Sequence, residues 1–194
     1  MTERPYHHGD LRAALLARAV DEIDARGVEG LSLRGLARDL GVSHGASARH
    51  FRDRAALLDA VAIEGFERLQ RAMRAASDAD PLTSAAQAYV AFAVAHPRLL
   101  AASFAAKRAA NPSEELLTVG HGVLDYVVGL LVQGQEFGTV RDGDPAELAR
   151  ISFATVHGVA MLAIDDLLDG VPWEQATEEA VAFLMEGLGA GRAG

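Results

Sequence analysis

The sequence has no cysteine among its 194 residues. It can therefore form no disulfide and offers no thiolate ligand to a structural zinc ion, a composition that fits a reducing compartment. It also lacks an N-terminal apolar run of signal-peptide length, and no segment reaches the ~18 uncharged apolar residues of a membrane span. We therefore expect a cytoplasmic protein with no membrane partner.

The alternation of Val, Ile or Thr with polar residues that marks strands is missing as well. Apolar residues, which make up 50% of the chain, recur at helical spacing instead. The pattern predicts an all-α fold of about nine helices. The sequence contains no nucleophile elbow, no phosphate-binding glycine loop and no histidine pair at metal-ligand spacing, so we expect no enzymatic activity, no metal and no cofactor.

The charge is unevenly distributed along the chain. The net charge is −9, but residues 1–76 carry 12 arginines against 11 acidic side chains, and the excess of acid lies in residues 77–194. Within residues 32–54, five arginines outnumber two aspartates. These arginines are Arg34, Arg38, Arg49, Arg52 and Arg54. A local basic surface on an acidic protein is typical of nucleic-acid binding.

The basic block has the pattern of two short helices joined by a glycine. Ser32 and Ser43 stand where side chains cap helix N-termini, and Gly41 stands where a left-handed residue turns the chain. With a longer helix on each side, the first starting near Asp10, this pattern predicts a helix-turn-helix whose second helix enters the major groove of DNA. The periodicity alone fits equally well an ordinary helical hairpin with solvated arginines.

The stretch "GLSLRGLARDLGVSHGASARHFRDRAALLDAVAIEGFERL" (Gly30–Leu69) resembles the DNA-binding domain of the TetR family of transcriptional regulators. The resemblance implies a homodimer with three N-terminal helices on DNA and a larger helical domain that binds a small molecule. Ala48 stands where the family usually has an aromatic residue that contacts phosphate. Candidate DNA-binding residues, by position in the family motif or in the basic block, are Ser32, Arg34, Ser43, His44, Ser47, Arg49, His50 and Arg54.

The change in composition at Ala76 suggests two functional parts. We expect a DNA-binding domain over residues 1–53 and a ligand-binding and dimerisation domain over 54–194, connected by a helix at about 54–76. In the second part "SDADP" predicts a linker and "AHP" a break between helices. "NPSE" and "DPAE" predict helices capped by Asn111 and Asp144, and a last helix is expected at about 173–189.

The second part also supplies the candidate ligand site. "FATVHGVAML" (Phe153–Leu162) is similar to the "WHG"-type motif of one C-terminal subgroup of the family, with valine in place of tryptophan. His157 is interpreted either as a core residue with a hydrogen bond to another helix or as a polar group in a cavity, with His121 or Asp125 as a second polar group. Candidate ligand-binding residues are Tyr89, Phe92, Phe104, His121, Asp125, Tyr126, Phe153 and His157.

The last two helices each carry an apolar stripe, which predicts a homodimer that pairs them as a four-helix bundle. The stripes are Leu148, Ile151, Thr155, Val159 and Leu162, and Thr177, Ala180, Val181, Leu184 and Leu188. The expected function is a ligand-responsive regulator, a repressor on a palindromic operator that a small apolar or amphipathic molecule releases. The alternatives are a helical interaction protein without DNA binding and a DNA-binding regulator without a physiological ligand.

Overall fold

The structure, a computed structural model, describes residues 8–76 and 80–189. Over these residues the chain forms nine helices and no strand, which confirms the all-α prediction. The helices are α1 (His8–Arg26), α2 (Leu33–Asp39), α3 (His44–Ala48), α4 (Arg54–Ala75), α5 (Pro81–Ala95), α6 (Pro97–Lys107), α7 (Glu114–Glu136), α8 (Pro145–Ile164) and α9 (Trp173–Leu188).

Helix boundaries follow the local signals of the sequence in most places. The predicted break at "AHP" separates α5 from α6, and α4 and α9 end within one residue of their predicted ends. Gly27, at a φ of +81°, stops α1 in the left-handed conformation that favours glycine. The predicted start of α1 is near Asp10, but the helix begins two residues earlier, at His8.

The caps of the later helices include one correction. Asp144 caps α8 as predicted, its carboxylate accepting from the backbone N–H of Ala146 at 3.0 Å. Asn111 does not cap α7. Ser113 does, because its hydroxyl oxygen accepts from the N–H of Leu116 at 3.0 Å and is itself fixed by Asp59. The "SDADP" linker lies partly outside the described residues, at 77–79, and its Asp80 caps α5.

The chain divides into two compact units. The first comprises Met1–Phe66 and Arg98–Gly120, and the second comprises Glu67–Pro97 and His121–Gly194, so that α4 and α7 each contribute to both. In the first unit α1, α2 and α3 pack on one another, and in the second α5, α8 and α9 do so. A cluster of buried residues lies in the second unit: Leu131, Val140, Leu148, Ala149 and Leu188.

Two helices, α7 and α8, are long and apolar enough to cross a membrane, judged by length and composition alone. Neither helix contains the ~18 consecutive uncharged apolar residues that the sequence prediction required, because each contains a few polar or charged side chains. In the second unit α8 packs against both α5 and α9. One apolar side of α8 therefore packs against α5 and α9.

Candidate DNA interface and ligand cavity

The turn between α2 and α3 has the geometry of a helix-turn-helix. Ser32 caps α2 through the N–H of Gly35, and Ser43 caps α3 through the N–H of Ala46. Between them Gly41 has a φ of +67°, a conformation that residues with a side chain rarely adopt. Local capping chemistry therefore fixes both ends of the turn.

The short helix α3 is held in place by the layer beneath it, as a helix of five residues must be. Ser47 is fully buried, and its hydroxyl donates to the carbonyl of His44 at 2.8 Å. Phe51, just beyond α3, is buried too, and the guanidinium of Arg12 lies 5.3 Å from its ring centroid. The outer side of α3 is thus free to meet another molecule.

Several cationic and polar side chains lie on the exposed side of this motif. Arg34, His44 and Arg49 are exposed, and no ion pair with Arg34 or Arg49 forms within the part of the chain that the structure describes. Arg52 instead pairs with Asp53, with 3.2 Å between its Nε and the carboxylate. Arg34 and Arg49 are therefore the arginines best placed to meet a phosphate or a base edge.

Other arginines of the N-terminal region stabilise the domain itself. Arg54 donates through Nε to the carbonyl of Leu31 at 3.1 Å and through a terminal nitrogen to the carbonyl of Val28. Arg18 on α1 binds Asp39 at the end of α2, with 3.0 Å between nitrogen and oxygen. These contacts fix the loop before α2 and the packing of α2 on α1.

The second unit contains an apolar cavity of about 50 Å³, counted as space for the centres of water molecules. A single water needs about 10–15 Å³ on that scale, so the space holds a few waters, and an organic molecule would bind there by displacing the lining side chains slightly. Side chains from α4, α5, α7, α8 and α9 line it. They include Met73, Ala85, Val127, Val156, Val181 and Leu184.

Three aromatic side chains, Tyr89 on α5 and Phe153 and His157 on α8, pack together at one wall of the cavity. The hydroxyl of Tyr89 lies 2.8 Å from Nδ1 of His157, and the ring of Phe153 stacks on the imidazole with 5.3 Å between centroids. Tyr89 and Phe153 line the cavity. Burial raises the pKa of the Tyr89 phenol, so the side chain stays neutral at physiological pH.

The cavity wall has one further polar side chain, that of Ser152. Ser152 is 8% exposed, and its Oγ has no hydrogen-bond partner within the described residues. No Asp, Glu, Lys, Arg or His belongs to the lining formed by the described residues. The site is therefore an uncharged apolar chamber with hydroxyl groups as its polar features.

Comparison with known proteins matches two separate parts of the chain. The family model described as "Bacterial regulatory proteins, tetR family" matches residues 15–61. The model described as "Tetracyclin repressor-like, C-terminal domain" matches residues 82–188, more than half of the chain. The chain belongs to the TetR family. It is thus a transcriptional regulator with an N-terminal DNA-binding helix-turn-helix domain.

Solved structures support the TetR fold over nearly the whole chain. A protein of unknown function from Rhodococcus sp. RHA1 is 42% identical, with a TM-score of 0.90 over 96% of this chain and 100% of that one. A tetR-family regulatory protein from Rhodococcus RHA1 is 20% identical, with a TM-score of 0.67 over 92% and 97%. The TetR-family regulator PfmR from Thermus thermophilus is 18% identical, with a TM-score of 0.67 over 89% and 97%. The last two show the fold alone, and no curated protein matches significantly.

One of the predicted DNA contacts needs correction in the light of this geometry. Ser47 cannot present its hydroxyl to DNA, because the side chain is buried and donates to a carbonyl of its own helix. Arg54 is exposed and donates to two backbone carbonyls, so it stabilises a loop, and its contact with DNA stays a prediction. Of the other predicted DNA contacts, Ser32, Ser43 and His44 are exposed and His50 is half-buried.

Three of the eight predicted ligand residues come together in this TetR protein. Tyr89, Phe153 and His157 form one group, although His157 lies behind Tyr89 and does not line the cavity. The other five lie elsewhere. Phe92 packs on His96, Phe104 meets Phe66 edge to face, Tyr126 lies under Arg74, and His121 and Asp125 are exposed.

Ser152 and most of the cavity's aliphatic wall were not predicted from the sequence. Ser152 immediately precedes the quoted motif, and a serine inside an apolar helix carries no signal of its own. The aliphatic lining consists of ordinary helix-stripe residues such as Val156 and Val181, whose spacing indicates burial and not a cavity. Only the packing of five helices shows which of these side chains leave space between them.

Proposed function

We propose that this TetR-family regulator is a ligand-responsive repressor. It binds a palindromic operator as a homodimer, and a small apolar or amphipathic molecule in the second unit releases it from DNA. The observation that carries the ligand response is the uncharged cavity of the second unit, since apolar walls with a few polar groups are the usual form of a small-molecule site. The helix α4 contributes to both units and supplies Met73 to the cavity wall.

Residues 1–53 are proposed as the DNA-binding domain and residues 54–194 as the ligand-binding and dimerisation domain. In the first, α3 is the recognition helix and Arg49, exposed directly after it, is the main base or phosphate contact. Arg34, at the second position of α2, and the caps Ser32 and Ser43 supply further phosphate contacts. Ala48 makes no such contact, which leaves the binding energy to the arginines.

The proposed dimer forms through α8 and α9, with the predicted stripe on α8 but a different face of α9. Leu148, Thr177, Val181 and Leu188 are buried within the chain itself, and Leu184 lines the cavity. Ile151 and Leu162 of the predicted α8 stripe are exposed, and on α9 the exposed large apolar side chain is Phe183, outside the predicted stripe. Because Phe183 is 76% exposed, it is the strongest candidate for an interface with a second copy.

A repressor of this kind acts on DNA, so we propose a cytoplasmic location with no metal, cofactor or membrane partner. The test is nuclease footprinting on the DNA that flanks its own gene, followed by a screen for small molecules that remove the footprint. The proposal expects a palindromic protected site that such a molecule abolishes. A footprint that no molecule affects favours a regulator without a ligand, and no footprint favours a helical interaction protein.

A further inference from the structure

The hydroxyl of Ser152 is unusual among the hydroxyl groups on helices of this protein. Ser84, Ser103, Thr155 and Thr177 each donate to the backbone carbonyl four residues earlier, at 2.7–3.1 Å. This local bond is the common way in which serine and threonine are satisfied inside helices. Ser152 does not form it, and its Oγ has no other partner within the described residues.

The position of Ser152 makes the missing bond informative. The side chain is 8% exposed and lines the apolar cavity, where its neighbours in the lining include Phe153, Val156 and Val181. A buried hydroxyl without a partner is unfavourable. Such groups call for an explanation, and a hydrogen-bonding molecule in the space that the group lines supplies one.

The lining also limits the charge of that molecule. The residues that form it carry no charged side chain, as the described part of the chain shows. A carboxylate or phosphate placed there would lose its hydration without gaining a cationic partner, which is strongly unfavourable. A hydroxyl or carbonyl group loses far less hydration and needs only one hydrogen bond.

We propose that the cavity binds a neutral, mainly apolar molecule that carries a hydroxyl or carbonyl oxygen, and that this oxygen hydrogen-bonds to Oγ of Ser152. The proposal rests on the proposed function, because it names the chemical class of the effector. Tyr89 contributes to the wall, with its own hydroxyl bonded to His157. Ser152 is thus the polar anchor, and the aliphatic lining supplies the remaining contact.

The test compares phenol with toluene, which has nearly the same shape but a methyl group in place of the hydroxyl. The Kd of each probe is measured by NMR titration of the full chain without DNA, for the wild type and for Ser152→Ala. We expect the ratio of the phenol Kd to the toluene Kd to rise about fivefold or more in the variant, the loss of one hydrogen bond. Comparing this ratio between the variant and the wild type cancels the difference in hydrophobicity between the two probes.

Ser103→Ala is the matched control, because Ser103 is also a buried helical serine but lies in the first unit with its hydroxyl bonded to the carbonyl of Leu99. It should leave the ratio unchanged, and benzoate should not bind to the wild type at comparable concentration. Because alanine favours helix, we expect Ser152→Ala to fold and to melt no lower than the wild type. An unchanged ratio, binding of neither phenol nor toluene, or benzoate binding as tightly as phenol overturns the proposal.

The footprint separates this proposal from the function on which it rests. If the ratio changes as expected but no molecule that fills the cavity affects the footprint, the ligand chemistry holds and the ligand-responsive function is wrong. If an effector removes the footprint equally well from the wild type and from Ser152→Ala, the function holds and the role of Ser152 is wrong.

Discussion

The hydroxyl of Tyr89 on α5 lies 2.8 Å from Nδ1 of His157 on α8, 68 positions later in the chain. Tyr89 is 2% exposed, whereas His157 is only half-buried. The sequence left two interpretations of His157, a core residue bonded to another helix or a polar group in a cavity. This bond agrees with the first. It also joins two helices that pack against each other in the second unit.

Replacing His157 by phenylalanine should destabilise the protein by about 1–3 kcal/mol, because it leaves the buried Tyr89 hydroxyl without its partner. Tyr89→Phe should cost less, since the half-buried imidazole keeps access to water. Urea unfolding of both single variants and the double variant measures the coupling. If the stability losses of the two single variants add up to the loss of the double variant, the bond contributes nothing to stability. Because His157 lies in the second unit and does not line the cavity, operator affinity should remain unchanged in His157→Phe.

Arg49→Ala should lower operator affinity by about 1–3 kcal/mol if Arg49 makes a bidentate base contact. The side chain is exposed and has no ion pair within the described residues, so the fold should not change. Titration of an operator duplex at fixed salt measures the effect. Arg150→Ala, an exposed arginine on α8, is the control and should bind as the wild type does. Equal affinities of the two variants would remove Arg49 from recognition.

Arg54→Ala should lower both stability and DNA affinity, because Arg54 donates to the carbonyls of Leu31 and Val28 in the loop before α2. We expect a loss of about 1 kcal/mol in the free energy of unfolding, since the side chain is partly solvated. Arg54→Lys should recover only part of it, as an ammonium group lacks the planar fork that reaches two carbonyls. A variant with weaker DNA binding but unchanged unfolding would instead assign Arg54 to phosphate.

Phe183→Glu should shift the homodimer toward monomer, because it places a charge on the most exposed apolar side chain of α9. Light scattering at micromolar concentration measures the mass. Phe137→Glu is the control, since Phe137 is 81% exposed but follows α7 and belongs to neither α8 nor α9. A wild-type chain that is already monomeric, or a dimer that both variants weaken equally, contradicts the proposed interface.

The helix-turn-helix could be predicted from the sequence because its determinants are local. The caps Ser32 and Ser43 bond to amides three residues ahead, and Gly41 needs only its own backbone conformation. The cap of α7 was misplaced at Asn111 because Ser113 is selected by a contact with Asp59, 54 positions away. A contact between distant parts of the chain leaves no trace in a short motif.

The candidate sites were harder to predict because a helical stripe shows that a face is apolar but not what covers it. The stripe of Val181, Leu184 and Leu188 faces the chain's own interior or cavity, and Phe183, outside that stripe, is exposed. Ser47 and Ser152 show the same difficulty for polar residues. One is buried in a local bond and the other lines a cavity, and only the packing distinguishes them.

The salt dependence of operator binding tests the central claim, that this chain is a DNA-binding regulator acting through the surface around α3. Two exposed arginines, Arg34 and Arg49, on each of two protomers would neutralise about four phosphates, which predicts a slope of about −3.6 in log K against log salt concentration. Fluorescence anisotropy with an operator duplex, between low and physiological salt, measures the slope. A slope near this value that becomes shallower in Arg34→Ala agrees with the account. Binding that does not change with salt, or no binding to duplex DNA at low salt, contradicts it.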